Sequence, residues 1–150
     1  MSERTDRGSG FLLPDVESED AAPFWAGAAR HELLGQACGA CGRGRHPPRP
    51  MCPACRSLDV RWDVASGRAT IWSFVVPHPP LLPAYAEVAP YNVIVVALAE
   101  DPTIRVVGNL LPDATGSIAD VDPSTIEIGT PVQVVFQQVD DVVLPQWVAT

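Results

Sequence analysis

The chain has 150 residues, 47% of them hydrophobic, with sixteen prolines and eleven glycines. A chain of this length buries roughly 68–70% of its unfolded surface, so it needs no disulfide staples, and that much proline and glycine favours turns and short strands over long helices. The formal net charge of −8 disfavours nucleic acid as a partner, and all ten basic residues are arginine, which excludes lysine Schiff-base chemistry.

Residues 1–19 are polar at first, step through Phe11, Leu12 and Leu13, and then turn acidic at Asp15, Glu17 and Glu19. This composition predicts a disordered leader. It lacks the apolar core of a signal peptide, and no stretch approaches the roughly 20 apolar residues of a membrane span. The expected location is cytoplasmic. Residues 20–35 read as a short helix, with Asp20 as cap, Pro23 in the first turn and Gly35 as the stop. Phe24 and Ala28 share a face, as do Trp25, Ala29 and Leu33. A helix this short needs another surface to bury Phe24 and Trp25, which makes both candidate partner contacts.

Residues 36–58 hold the four cysteines and the run His46-Pro47-Pro48-Arg49-Pro50, which forbids a helix. Residues 59–150 read as strands. Val60, Trp62 and Val64 alternate, and the runs 70–77, 92–100, 103–111, 132–139 and 142–148 are β-branched and apolar. Asp101-Pro102 and Asp140-Asp141 mark two hairpins. Five main strands with long loops suit a small Greek-key barrel of the OB type, with a small sandwich as the alternative. Trp72 and Phe74 are expected to share the core face of one strand. The 78–91 connection is apolar and proline-rich, and Leu81, Leu82 and Tyr85 form a candidate anchor for another protein.

Cys38-Gly-Ala-Cys41 and Cys52-Pro-Ala-Cys55 are paired CxxC knuckles. Two residues between cysteines let both sulfurs face one metal, and two knuckles complete a tetrahedral thiolate shell. Structural zinc is the expected metal. A rubredoxin-like iron site uses the same four thiolates, and the spacing does not separate the two. A redox dithiol leaves two matched pairs unexplained. Around this motif the charge reverses. Residues 38–68 carry Arg43, Arg45, Arg49, Arg56, Arg61 and Arg68 against Asp59 and Asp63, a local +4 that leaves −12 on the rest of the chain.

No catalytic set is expected. The cysteines are committed to metal, a closed shell leaves no open position for water, and there is no GxSxG serine or phosphate loop. His31 reads as solvated and His46 as packed within the ribbon. His78 at a strand end and Arg68 beside the basic ribbon are the candidate ligand contacts.

Five segments in this order carry a resemblance: Pro23-Phe24-Trp25, Cys38-x-x-Cys41-Gly42, Pro47-Pro48-Arg49-Pro50-x-Cys52-Pro53-x-Cys55, Ser66-Gly67-Arg68-Ala69-Thr70-Ile71-Trp72-Ser73 and Pro90-Tyr91. Over roughly residues 20–148 the chain resembles the zinc-ribbon plus OB-fold family associated with thiolases and acyl-CoA enzymes. The resemblance implies an N-terminal helix, a rubredoxin-like zinc ribbon and a C-terminal five-stranded OB-fold. It also implies a non-catalytic subunit beside a thiolase-fold enzyme. In one branch of that family the enzyme is a retro-aldolase acting on steroid side-chain CoA thioesters; in another the protein bridges a thiolase and a hydroxymethylglutaryl-CoA synthase. A hydratase-fused form exists, and these 150 residues depart from it in holding no hydratase domain. The lysine-free, alanine-rich composition favours the steroid branch. Two other functions compete: a stand-alone acyl-CoA-binding module with the basic ribbon on the nucleotide phosphates, and a nucleic-acid-binding ribbon/OB protein, which the acidic composition disfavours.

Overall fold

The computed structural model describes residues 8–150. A first helix, α1 (Ala22–Ala29), leads into a three-stranded antiparallel sheet of β1 (Leu34–Cys38), β2 (Gly44–Arg45) and β3 (Val60–Val64), in the order β2-β1-β3. The second sheet has five strands: β4 (Arg68–Val75), β5 (Val93–Leu98), β6 (Arg105–Gly108), β7 (Pro131–Val139) and β8 (Val142–Ala149). Their order is β6-β5-β4-β7-β8, all antiparallel. A short helix, α2 (Pro83–Val88), lies in the β4–β5 connection.

Both expected hairpins are present, β5–β6 and β7–β8, the latter turning at Asp140 with φ 53°. The curled sheet closes at its far ends. Leu110, just past β6, bridges Trp147 of β8 in parallel, through Leu111 N–H donating to Trp147 O at 2.8 Å and Trp147 N–H to Asn109 O at 3.0 Å. Asn92 completes the closure from the start of β5. Its Nδ2 donates to Leu110 O at 2.9 Å, and its Oδ1 accepts from Leu110 N–H at 2.7 Å. Ile71, Ile94, Val96, Val132 and Trp147 fill the interior, joined by Phe24 and Leu33 from the helix segment.

Five local differences from the sequence expectations have physical causes. The helix ends at Ala29, not near Gly35. His31 takes φ 62°, Glu32 N–H returns to Gly27 O and His31 N–H to Ala28 O, both at 2.9 Å. That is a Schellman ending with histidine where glycine is usual, and the His31 ring stacks on Phe136 at 5.2 Å. Asp20 is not the cap, since Ala21 occupies that position. Gly35 belongs to β1 instead, opposite Asp63.

β3 pairs with β1 along Leu34–Cys38, so 60–64 belongs to the ribbon sheet and not to the barrel. Alternation reports a strand but not which edge it joins. The leader is ordered from residue 8 onward: Ser9 N–H and Oγ both donate to the Asp140 carboxylate, and Leu12 N–H donates to Tyr85 Oη at 3.0 Å. Residues 1–7 of that expected leader lie outside the described residues. The register of β4 against β5 slips between Ile71 and Ser73. Trp72, next to buried Ile71, faces outward at 49% exposure by ordinary alternation, and the bulge that follows turns Phe74 onto the core, so the two do not share a face. The fifth difference is α2 itself, a six-residue helix within a segment read as loop.

Asn92→Ala removes both bonds to Leu110 from a fully buried position. It is expected to cost about 2–3 kcal/mol, read as a lower urea midpoint with unchanged metal content. A loss under about 0.5 kcal/mol would show that the bridge to Trp147 closes the barrel alone.

Candidate metal centre and the groove beside it

Two loops of one design carry the cysteines. In the first, Cys38 N–H donates to Arg43 O and Gly42 N–H to Cys38 O, both at 2.9 Å; in the second, Cys52 N–H donates to Ser57 O and Arg56 N–H to Cys52 O, also at 2.9 Å. Each loop places its fifth residue in the left-handed region, Gly42 at φ 78° and Arg56 at φ 64°. Glycine does this without strain, whereas arginine does not. Ala40 and Cys41 N–H both point at Cys38 Sγ, at 3.4 Å each.

The four sulfurs lie within 4.8 Å of one another, with Cys38–Cys55 at 3.5 Å and Cys41–Cys52 at 3.7 Å. A tetrahedral zinc with bonds of about 2.3 Å holds its sulfurs about 3.8 Å apart, so the donor set fits a metal. The thiols are free. Cys41 N–H, helped by Ala40 and opposed by burial, holds the Cys38 thiol down to about 6. Cys52 is lowered by the N–H groups of Cys55 and Ala54. Against the lowering bond from Ser57, the facing Cys38 thiol, burial and the remaining thiols push Cys55 up to about 11. Negative charge crowds in this cluster, and a divalent cation relieves that repulsion. Cys38 and Cys52 are buried and Cys41 and Cys55 exposed, so the centre sits at the ribbon's tip. Four thiolates leave no open coordination position, which suits a structural role.

The remaining predicted site residues are scattered. Phe24 is 5% exposed and belongs to the core, so the ribbon and barrel already supply the surface that the helix needed. Trp25 is half-buried, edge-on to Phe24 at 4.9 Å. Of the 78–91 anchor, Leu82 is 54% exposed and Leu81 half-buried. Tyr85 is engaged within the chain by Leu12, by Phe11 at 5.0 Å and by Tyr91 at 5.8 Å. Arg68 opens β4 and lies near Glu100, whose carboxyl is held low against burial chiefly by the bonds from Ser66, with a smaller contribution from Arg68. His78 is exposed beyond the far end of the same strand. About 23 Å of strand, at about 3.3 Å per residue, separates Arg68 from Val75, so Arg68 and His78 do not form one site.

A groove that the sequence did not signal runs between α1, the His46–Pro48 turn and strands β6 and β8. It encloses about 450 Å³. Trp25, Pro47, Val107 and Leu144 give it an apolar lining, and Arg105 stands in its wall. The His46 ring packs on Phe24 at 5.2 Å, and burial lowers its pKa. The ribbon reaches the barrel beside it, since a Cβ on Gly44 would fall 2.7 Å from Ile104 Cδ1. Among the described residues no helix is long and apolar enough to cross a membrane.

Family comparisons agree with this architecture. Residues 25–61 match the model described as ChsH2, rubredoxin-like zinc ribbon domain, and residues 62–137 match ChsH2, C-terminal OB-fold domain. A probable enoyl-CoA hydratase alpha subunit from Thermomonospora curvata is 36% identical over 93% of this chain. The 3-oxo-4,17-pregnadiene-20-carboxyl-CoA hydratase alpha subunit of Mycobacterium tuberculosis is 35% identical over 91%. The chain spans 40% of the length of each of these two relatives. A DUF35 domain-containing scaffold protein from Methanothermobacter thermautotrophicus is 34% identical over 73% of this chain and 75% of its own length. Among solved structures, a chain of an Ltp2-ChsH2(DUF35) aldolase superposes with a TM-score of 0.76 at 34% identity, covering 91% of this chain and 98% of that one.

Purified protein is expected to hold about one metal ion per chain, by elemental analysis, and Cys52→Ser to lose it. Two disulfides without metal would contradict the centre. Arg56→Gly, which relieves the left-handed arginine, is expected to raise stability by about 1 kcal/mol with metal content unchanged.

Proposed function

The chain belongs to the ChsH2 family of zinc-ribbon and OB-fold proteins, also described as DUF35, and from that premise we propose that it is a non-catalytic accessory subunit of a thiolase-fold enzyme acting on acyl-CoA thioesters. A retro-aldolase of steroid side-chain degradation is the first candidate for that enzyme. The observation that carries this reading is the likeness, over nearly the whole of both chains, to a chain of an Ltp2-ChsH2(DUF35) aldolase. A relative named as a scaffold protein and another named for a pregnadiene-carboxyl-CoA substrate support it. Within this proposal the metal is zinc, and it holds the ribbon's shape without taking part in chemistry. Reduced, metal-bound thiols suit a cytoplasmic location.

The side chains support a binding role. Among the described residues neither Arg68 nor His78 makes a side-chain hydrogen bond or ion pair of the kind that sets up an acid–base pair or an activated nucleophile. Arg68, exposed at the start of β4, is proposed as a separate contact for a CoA phosphate or a carboxylate. Trp25, half-buried in the wall of the groove, is the proposed partner contact of the predicted set. Phe24 packs behind it.

Co-expression with the thiolase-fold aldolase of the same organism is expected to give one complex on size exclusion. The enzyme should be inactive or insoluble without this chain. The chain alone should turn over no CoA thioester. An aldolase equally soluble and active alone, with no complex formed, would overturn the reading.

A further inference from the structure

The groove beside the ribbon lies within a larger surface. Its β6 wall continues outward through Val107, which is 62% exposed, to Trp72 on the outer face of β4, which is 49% exposed. Arg105 joins the two parts: it lines the groove, and its guanidinium carbon lies 3.7 Å over the Trp72 ring. Two tryptophans, an arginine and a proline-stiffened wall are the residue types that dominate binding energy at interfaces, and a stacked guanidinium loses little freedom on docking.

The charge distribution selects the occupant. The chain as a whole carries −8, yet no acidic residue lines the groove. Arg43, Arg49 and Arg56 on the ribbon are exposed. Like Arg105, none of them is ion-paired among the described residues, where the two ion pairs are Arg30–Glu32 and Arg61–Asp63. His46 in the groove wall makes no hydrogen bond with a described residue, which leaves its imidazole free to accept or donate.

We propose that this surface, from Trp25 and Pro47 across Val107 to Trp72, is the docking face for the enzyme partner, and that it receives an apolar segment flanked by carboxylates. The carboxylates pair with Arg105 and the ribbon arginines, while the apolar side chains fill the groove. This rests on the reading of the chain as an accessory subunit. It places the contact on the face formed by ribbon and barrel together, away from Leu82.

The test measures binding of the aldolase partner to the full chain by calorimetry. Val107→Asp and Arg105→Glu, both at exposed positions, are expected to raise the Kd at least tenfold, with metal content and circular dichroism unchanged. Leu82→Asp should stay within about twofold. Raising salt should weaken the native complex and weaken the Arg105→Glu complex less. A native complex that both groove variants form normally would overturn the docking face while the accessory role stands. No native complex at all would overturn both. Self-association of the chain alone, abolished by Val107→Asp, would give the face to a second copy and equally overturn the proposal.

Discussion

Four sulfurs held within 4.8 Å of one another tie together a ribbon that has little else to hold it. The ribbon's buried side chains are few, and two of them are Cys38 and Cys52. Another is Arg45, 7% exposed, with one bond from Nη2 to Arg49 O at 2.9 Å and with Nε and Nη1 unpartnered. A buried guanidinium so sparsely satisfied adds nothing to stability. The metal cross-link must therefore supply what a core supplies elsewhere, as is general for small zinc domains. From that fixed point the rest follows. β1 pairs with β2 and β3, Gln36 Oε1 accepts from Arg49 N–H at 2.8 Å to pin the proline loop, and His46 comes to lie on Phe24.

The barrel is built on a different device, a chain of buried and half-buried amides. Asn92 bonds Leu110, Asn109 Nδ2 donates to Asn92 O, and Gln146 Oε1 accepts from Asn109 N–H at 2.7 Å while its Nε2 reaches Asn109 Oδ1 and Gln137. Each amide serves as donor and acceptor at once, and such networks fix a single register where apolar contacts alone would not. Asn109 and Gln146 also line the groove. Ribbon and barrel therefore meet at the surface that carries Trp25, Arg105 and Val107.

The sequence carried most of this architecture. Two CxxC knuckles imply a metal because side-chain chemistry and spacing act locally, and five β-branched runs imply strands for the same reason. What stayed hidden depends on contacts remote in the chain. Nothing local tells β3 to join Cys38's strand and not the barrel. The Trp72 bulge is a register slip that no alternation pattern records. His31 in a helix-ending position defies the preference for glycine there, and the preference pointed at Gly35 instead. The groove was invisible because its walls come from four elements spread from residue 21 to residue 146. Phe24 drew attention as an apolar residue in need of cover, and that cover turned out to be the chain's own core.

Metal, ribbon and proposed docking face form one causal line, so metal occupancy should control partner binding. The direct measurement is calorimetric titration of the proposed aldolase partner with metal-loaded chain and with chain stripped by a chelator, circular dichroism confirming that the barrel persists. The loaded chain should bind tightly, the stripped chain should not bind, and restoring zinc should recover binding. Equal affinity with and without metal would contradict that dependence.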